Sequence, residues 1–480
     1  MQFRAVILGL LALGSSVLFA GPAEASPLGE KLDAALRARG LRGARIGALV
    51  VSRADGKVLY ARDADRPLIP ASNQKILTAL AALATFGPTH RFETEVLVDA
   101  LPDAEGAVGY LAVRGGGDPA LTSEDFWRLA ADLRRTGLRR VRGDLILDAS
   151  AFDGVRWHPS WGQTSSRAYH AAVSALTANY GAFAVSVEPA GQKGQAVRAS
   201  IDPPVAYLQL VNRATTTSGR KRTLKVDRSA ASGVEHVTVS GALPACSDAK
   251  TYYRSVLDPT LYAGSVLRLQ LEANGIAVEG GVRVAGVPAT AESLWVFEGK
   301  PLAEIVRLFM KFSNNAIAES LVKAMGAHES DGPGTWQTGL ARMRRALAGL
   351  GIDTEPLSLV DGSGLSYDNR VTARTLVTAL RRGEESFAFG PEFTASLPIA
   401  SADGTLEKRA KDAAGQVRAK TGLLTRVTGL SGYAKLAEGE RAIFSIVVNG
   451  YQRGDGDAMD AVDGFVAALV SANGTHPANH

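Results

Sequence analysis

Residues 72–83 read Ser-Asn-Gln-Lys-Ile-Leu-Thr-Ala-Leu-Ala-Ala-Leu, a polar tetrad followed at once by an apolar run. The apolar residues recur with the period of a helix, and they predict one that opens at Ser72 with Ile76, Leu77, Leu80 and Leu83 on its buried face. A three-residue offset places Lys75 one turn from Ser72 on the same face, within reach of its hydroxyl. The tetrad therefore predicts a serine with a lysine beside it.

The spacing Ser-x-x-Lys is not specific by itself, because it recurs at 218–221 and 247–250. Those two copies lie in polar segments without helical periodicity, so only the copy at Ser72 opens an apolar helix. Two further motifs follow it in order, Ser313-Asn314-Asn315 and Lys420-Thr421-Gly422. The order Ser-x-x-Lys, Ser-x-Asn, Lys-Thr-Gly is the motif set of serine acyl transferases that react with penicillins.

Each motif taken alone also has an ordinary structural interpretation. A serine at a helix start is usually an N-cap, a lysine near it is usually a solvated charge, and a Lys-Thr-Gly strand usually approaches a turn. All three in order, each on the expected element, favour catalysis.

The residue types explain the chemistry. A serine hydroxyl is a weak nucleophile until a base removes its proton, and Lys75 can be that base if burial and a neighbouring cation lower its pKa. Lys420 would supply the cation and attract a substrate carboxylate. Ser313 would pass a proton to the leaving amine, and the Asn315 amide would orient Lys75 and the substrate backbone.

The tetrahedral oxyanion needs preorganised N–H donors. The backbone N–H groups of Ser72, at its helix start, and of Leu423, on the strand after Gly422, are the candidates. Thr421, Gly422 and Leu423 are accordingly expected to bind substrate.

Both ends of the chain predict regular α and β elements. Residues 46–52 and 57–62 are β-rich around an Asp-Gly turn at 55–56, which predicts a hairpin. Near the other end, 416–422, 427–434 and 442–449 predict strands, and 458–470 predict a final helix.

The middle of the chain has a different sequence pattern, since residues 92–292 contain many short β-like runs and few helical patterns. The expected architecture is one α/β (α+β) catalytic domain made of residues 26–91 and 293–480. A β-rich insertion at 92–292, folded as one or two modules, would interrupt it.

The first 25 residues predict a signal peptide. Arg4 precedes a short apolar run over 5–20, and Ala23-Glu24-Ala25 fits a small-x-small cleavage site that leaves Ser26 as the first mature residue. The run is shorter than the roughly 20 apolar residues that span a bilayer. We therefore expect an exported, periplasmic or extracytoplasmic protein without a transmembrane anchor after cleavage.

Composition excludes several classes of protein. The net charge of +5 is spread over 480 residues without a dense Lys/Arg run, so nucleic acid is not an expected partner. The single cysteine, Cys246, cannot form an internal disulfide. No His-Glu-x-x-His motif supports a metal site and no Gly-x-Ser-x-Gly elbow supports a Ser-His-Asp hydrolase, so we expect neither metal nor cofactor.

Taken together, the motifs resemble those of the D-alanyl-D-alanine carboxypeptidase/endopeptidase family, the low-molecular-mass class C penicillin-binding proteins, which carry a large insertion between the first two motifs. Here the intervals are 313 − 72 = 241 and 420 − 313 = 107 residues. Further segments resemble the family at 115–119, 143–145, 361–366, 397–399 and 403–405, and the 361–366 loop is expected to border the cleft.

The resemblance implies a β-lactamase-like transpeptidase fold with an antiparallel sheet and flanking helices. It also implies peptidoglycan stem peptides as substrates and β-lactams as inhibitors that acylate Ser72. Relatives acting on diaminopimelate-containing peptides use an acidic residue of the insertion, but residues 162–168 contain no carboxylate. The preferred stem peptide and the balance of carboxypeptidase and endopeptidase activity stay open. The alternatives are a non-catalytic envelope scaffold that retains the fold and a β-lactamase.

Overall fold

The computed structural model describes residues 26–471 except residues 232, 329 and 438, so the predicted signal peptide lies outside the described residues. The first elements form the hairpin and the helix expected from the sequence. They are α1 (Pro27–Leu36), β1 (Arg45–Ser52), β2 (Val58–Arg62) and α2 (Gln74–Phe86). Gly56 occupies the hairpin turn with φ of +76°, which a glycine adopts without strain.

The middle of the chain is rich in short strands, as predicted. Its elements are β3 (Arg91–Val98), β4 (Ala107–Val108), β5 (Leu111–Gly115), α3 (Ser123–Arg135), β6 (Arg140–Val141), β7 (Leu145–Asp148), β8 (Ala182–Glu188), β9 (Arg198–Asp202), β10 (Leu208–Thr217), β11 (Lys225–Ala231), β12 (Val234–Pro244), β13 (Lys250–Ser255), α4 (Pro259–Ala273), β14 (Ala277–Val278), β15 (Val282–Val284) and β16 (Glu292–Pro301).

The last part of the chain is mainly helical until three long strands close the sheet. Its elements are α5 (Leu302–Phe312), α6 (Asn315–Ala327), α7 (Trp336–Gly349), α8 (Ala373–Glu385), α9 (Gly390–Ser396), β17 (Val417–Leu424), β18 (Val427–Lys435), β19 (Arg441–Asn449) and α10 (Asp455–Val470). The final helix begins three residues before the predicted start at Ala458.

A five-stranded antiparallel sheet joins the two ends of the chain in the order β17-β18-β19-β1-β2. Successive residues of its central strands point to opposite faces, and both faces are buried. Leu49 and Val51 pack with α2 and α5–α9 on one side, whereas Ala48 and Val50 pack with α1 and α10 on the other. The catalytic part is therefore an antiparallel sheet between two helical layers, which confirms the predicted fold class.

The strands of the middle segment form separate sheets. A five-stranded mixed sheet has the order β15-β7-β5-β3-β16, and three-stranded sheets have the orders β14-β6-β4, β13-β8-β9 and β10-β12-β11. In the first of these, β16 pairs antiparallel with β3. That pairing places residues 293–301 in the insertion's sheet, whereas the sequence assigned them to the catalytic part. The division into domains stays a prediction.

One detail of the helix carrying the serine differs from the prediction. The α-helix begins at Gln74, and Ser72 lies in a single 3₁₀ turn over Ala71–Asn73 directly before it. Ala71 has φ of +47°, a left-handed conformation that breaks the helical path ahead of the serine. The predicted apolar face of α2 is fully buried: Ile76, Leu77, Leu80 and Leu83.

Candidate active site

Ser72 lies at the floor of a cleft of about 680 Å³ between the sheet edge, the start of α6 and the insertion. Lys75 lies within reach of the Ser72 hydroxyl, as the three-residue spacing predicted, and its Nζ donates a hydrogen bond to Ser72 Oγ at 3.0 Å. The 3₁₀ turn and the first turn of α2 together hold the two side chains on one face.

Lys75 is completely buried and its ammonium has three acceptors. Besides Ser72, Nζ donates to Asn315 Oδ1 at 2.7 Å and to the carbonyl of Ser363 at 2.7 Å. Burial lowers the pKa of Lys75 to about 7, against the opposing negative charges of Glu319 and Asp361. Near neutral pH a substantial fraction of Lys75 is therefore the free amine that a general base requires.

Ser313 lines the cleft, and the buried Lys420 contacts this serine. Helix α5 ends at Phe312, and the next residue, Ser313, adopts a left-handed conformation with φ of +57° that turns its hydroxyl toward the sheet. Lys420 Nζ donates to Ser313 Oγ at 2.8 Å and to the Thr421 carbonyl at 2.8 Å.

Lys420 is buried as completely as Lys75, and its pKa lies well below its ordinary value because of burial and then because of the charge of Lys75. The sequence predicted that burial and a neighbouring cation would together lower the pKa of Lys75. Burial is the leading cause at both lysines. The charge of Lys75 disfavours a charge on Lys420, so the buried pair favours a state in which only one of the two lysines is protonated.

Strand β17 brings Thr421, Gly422 and Leu423 along the edge of the sheet next to Ser72. Gly422 leaves no room for a side chain, because a Cβ there would lie 2.6 Å from Asn73 Nδ2 and 2.8 Å from the Pro70 carbonyl oxygen. The strand therefore rests directly on the turn that carries Ser72.

The backbone of Leu423 points into the cleft. Ala419 N donates to the Pro398 carbonyl, on the side of β17 away from β18. Residues of an antiparallel strand alternate between its two edges, so Thr421 and Leu423 present their N–H groups to that same open side. The Leu423 side chain lines the cleft and is 46% exposed.

Asn315 connects the lysine to the insertion. Its Oδ1 accepts from Lys75, and its Nδ2 donates to the backbone carbonyl of Tyr169 at 2.9 Å. Trp161 and Tyr169 line the cleft opposite Leu423, so the insertion forms one wall of the site.

The 361–366 loop borders the cleft, as expected, and Asp361 organises it. The Asp361 carboxylate accepts from the backbone N–H groups of Gly364 and Ser366, both at 2.7 Å, and from Trp161 Nε1 at 2.9 Å. Gly364 lies so close to the turn at Ala71 that a Cβ would sit 1.9 Å from the Ala71 carbonyl oxygen. The loop is thus packed against the turn that carries Ser72.

Sequence reasoning missed Glu319, a fully buried carboxylate on α6 behind Lys75. It accepts from the backbone N–H groups of Ser363 and Gly362 at 2.7 and 3.1 Å, and from Trp336 Nε1 at 2.8 Å. Burial, and then the charge of Asp361, raise the pKa of Glu319 to about 7. The available signal was an acidic residue inside the mostly apolar run 316–322.

Within the described residues, no group of three or more His, Cys, Asp or Glu side chains is arranged to hold a metal ion. In the same part of the chain, no helix is both long and apolar enough to cross a membrane. A nucleophilic serine, two buried lysines and a strand edge beside them, on an antiparallel sheet between helical layers, define a class: the active-serine acyl transferases that react with penicillins.

Comparison with known proteins identifies the family. Residues 28–469 match the family model described as D-Ala-D-Ala carboxypeptidase 3 (S13). The D-alanyl-D-alanine carboxypeptidase of Actinomadura sp. strain R39 is 41% identical over 487 residues, covering 98% of this chain and 89% of that protein. The chain belongs to the D-Ala-D-Ala carboxypeptidase (S13) family, and it is a serine D,D-peptidase of the penicillin-binding type.

Solved structures agree with the fold. Penicillin-binding protein 4 of Haemophilus influenzae superimposes with a TM-score of 0.78 at 24% identity, covering 91% of this chain and 98% of that one. The same protein in complex with a β-lactam has a TM-score of 0.74 at 25% identity, covering 92% and 98%. The predicted fold is thereby confirmed, and the family model and the 41% identical relative confirm the predicted family.

Proposed function

We propose that the chain cleaves the terminal D-alanyl bond of peptidoglycan stem peptides through an acyl-enzyme on Ser72, and that it is exported to do so. The observation that carries the proposal is the hydrogen bond of 3.0 Å between Ser72 Oγ and Nζ of Lys75, a lysine whose pKa burial brings to about 7. Relatives named D-alanyl-D-alanine carboxypeptidases support the substrate class.

Acylation begins when neutral Lys75 takes the Ser72 proton and Oγ attacks the scissile carbonyl carbon. The resulting oxyanion lies between the backbone N–H groups of Ser72 and Leu423, and loss of one such donor typically costs about 10²–10³ in rate. The substrate backbone extends along β17, where Thr421 presents its free edge. The substrate's terminal carboxylate approaches Lys420 and favours its charged form.

Collapse of the tetrahedral intermediate breaks the C–N bond, and the leaving nitrogen takes a proton from Ser313, which recovers one from Lys420. Lys75 has gained one proton and Lys420 has lost one, so the charge of the lysine pair is unchanged. Water then enters in place of the amine and attacks the ester, giving its proton back through Ser313 to Lys420. Lys75 returns its proton to Ser72.

A β-lactam undergoes the same attack, but its leaving nitrogen stays attached to the acyl group through the opened ring. The amine cannot diffuse away and therefore hinders the approach of water, so the acyl-enzyme persists. A β-lactamase differs from this scheme mainly in how fast water hydrolyses that ester.

Export is supported by the signal-peptide pattern of residues 1–25. The predicted first mature residue, Ser26, is the N-cap of α1, and its hydroxyl accepts the Gly29 N–H at 3.0 Å. N-terminal sequencing of protein secreted by the native host is expected to start at Ser26. A chain that retains residues 1–25 would contradict cleavage.

Two experiments test the activity. Fluorescent penicillin is expected to label the wild type and not Ser72→Ala, and equal labelling of both would refute the acyl-enzyme on Ser72. Purified uncross-linked and cross-linked muropeptides then separate the two reactions, because release of D-alanine measures carboxypeptidase activity and loss of dimers measures endopeptidase activity. Absence of label on the wild type would favour the non-catalytic scaffold alternative.

A further inference from the structure

A second groove, of about 820 Å³, lies behind the catalytic cleft where the insertion meets the end of α5. Four aromatic residues line it, and two of them are exposed, Tyr253 on β13 and Phe312 at the end of α5. They are 63% and 69% exposed, whereas most large apolar side chains of this protein are buried. Exposed aromatic rings gathered at one concave surface indicate a binding site.

The groove and the catalytic cleft are on opposite sides of the same two chain segments. In residues 168–170, Ala168 lines the groove and Tyr169 lines the cleft. In residues 312–315, Phe312 lines the groove and Ser313 lines the cleft. When the peptide of a substrate is bound in the cleft, any further part of that substrate is therefore adjacent to this groove.

Left-handed backbone conformations direct neighbouring side chains either to the groove or to the catalytic cleft. The left-handed φ of +57° at Ser313 sends its hydroxyl to Lys420 on one side and leaves Phe312 on the other. Asn179 and Tyr180, which also line the groove, have φ of +50° and +60°. Such conformations are unfavourable for residues other than glycine and persist where the surrounding structure holds them.

The polar groups of the groove fit a neutral, hydroxyl-rich ligand. Its acidic residues, Glu124 and Asp202, are exposed and form no ion pair within the described part of the chain, and Gln270 and Asn314 add amides. Among the residues that the structure describes, no lysine or arginine lines it, so they offer an anionic polymer no counter-charge there. Carboxylates accept hydrogen bonds from sugar hydroxyls and N-acetyl N–H groups, and aromatic faces cover the apolar faces of sugar rings.

We propose that this groove binds the glycan strand of peptidoglycan, namely the N-acetylated disaccharide that carries the stem peptide held in the cleft. The inference rests on the proposed function and extends it from the peptide to the sugar. Tyr253 is the residue to test, because its exposed ring lines the groove and it lies on the insertion, away from the catalytic motifs.

The test compares two substrates, a disaccharide-pentapeptide and the sugar-free pentapeptide of the same sequence, by D-alanine release. For the wild type, kcat/KM is expected to be about tenfold higher for the substrate that carries the sugar. This is the rate gain expected when one aromatic ring packs against a sugar face. Tyr253→Ala is expected to bring this ratio close to one, and Tyr253→Phe to retain it. A ratio taken within one variant is insensitive to a partial loss of folded protein.

Phe387→Ala is the matched control, because Phe387 is a fully exposed aromatic residue that does not line the groove. It is expected to retain the wild-type ratio. A wild-type ratio near one, or an unchanged ratio in Tyr253→Ala, would overturn the glycan site. A Tyr253-dependent preference for a sugar-free cross-linked peptide dimer would overturn it too, since the groove would then hold the neighbouring peptide.

The proposed function can fail separately, in which case neither pentapeptide is cleaved. Binding of the peptide-free disaccharide to Ser72→Ala protein, followed by saturation-transfer NMR, tests the groove without any cleavage. Binding is expected, with loss in the Ser72→Ala/Tyr253→Ala double variant. Absence of binding to Ser72→Ala protein would overturn the glycan site.

Discussion

The carboxylate of Glu319 accepts the backbone N–H of Ser363 at 2.7 Å, and the carbonyl of that same serine accepts from Lys75 Nζ at 2.7 Å. A buried acid therefore holds the loop that positions the catalytic base. Its charge also opposes the effect of burial on the pKa of Lys75. Glu319 is a positioning residue that acts through Ser363.

Glu319→Gln is expected to lower the rate of Ser72 acylation by about a hundredfold, the typical effect of displacing a catalytic group. Loss of the negative charge also lowers the pKa of Lys75, so the midpoint of the pH–rate profile moves below 7. The measurement is the second-order rate of acylation by a fluorescent penicillin across pH. Glu392→Gln, on α9, serves as the control, and a reduced rate with an unmoved midpoint would contradict the assigned role.

The wild-type pH profile follows from the same lysine. Lys75 acts as a base only when neutral, and its pKa is about 7, so acylation is expected to rise with pH through that value. Below it, the rate falls about tenfold for each pH unit. The check is acylation measured from pH 5 to 8 with the folded state monitored by circular dichroism. A flat profile over this range would exclude Lys75 as the titrating base.

Ser313→Ala removes the hydroxyl that accepts from Lys420 Nζ at 2.8 Å. Cleavage of a peptide is expected to fall by about 10²–10⁴, the usual contribution of a positioned proton donor. Acylation by penicillin should fall less, because ring strain helps to expel the lactam nitrogen. Both rates are measured on the same preparation.

Ser445→Ala is the control for that substitution, since the Ser445 hydroxyl is buried away from the cleft and bonds Ser431 on the neighbouring strand at 2.9 Å. It should retain both reactions. Equal losses of the peptide and penicillin reactions in Ser313→Ala would argue against a role in protonating the leaving group.

Gly422→Ala tests the contact between β17 and the turn that carries Ser72. The added Cβ would lie 2.6 Å from Asn73 Nδ2, so the strand must move away from the serine and the oxyanion site opens. We expect acylation to fall by about a hundredfold. Gly464→Ala on α10 has nothing within 4 Å of the new Cβ and should raise stability by up to about 1 kcal/mol with full activity. Thermal unfolding and penicillin labelling distinguish the two, and normal acylation by Gly422→Ala would disprove the packing argument.

Much of this architecture was predictable because it depends on local patterns. The period of the apolar residues placed α2, and the Asp-Gly turn placed the β1–β2 hairpin. Boundaries were predicted less well. Ser72 lies in a 3₁₀ turn before the helix, since Ala71 adopts a left-handed conformation imposed by its neighbours. Strand β16 extends the insertion's sheet past Glu292 because β3 offers it a partner edge.

Glu319 escaped prediction for a different reason. An acid in a helix is usually solvated, and only the packing of α6 against the 361–366 loop shows that this one is buried and bonded to backbone N–H groups. The position of Tyr169 beside the active site was not predictable either, because its hydrogen bond with Asn315 joins residues 146 positions apart in the sequence. Such contacts leave no periodicity in the sequence.

The sequence by itself determined the order of the three motifs and the type of element that carries the first and the third, because helix and strand formation follow residue periodicity over a few turns. Only the tertiary structure decided that Lys75 and Lys420 are both excluded from water, which lowers their pKa values. It also brought Ser313 and Lys420, 107 positions apart, to within 2.8 Å. Reactivity depends on that burial and on those distances, and both arise from how the two ends of the chain pack around one sheet.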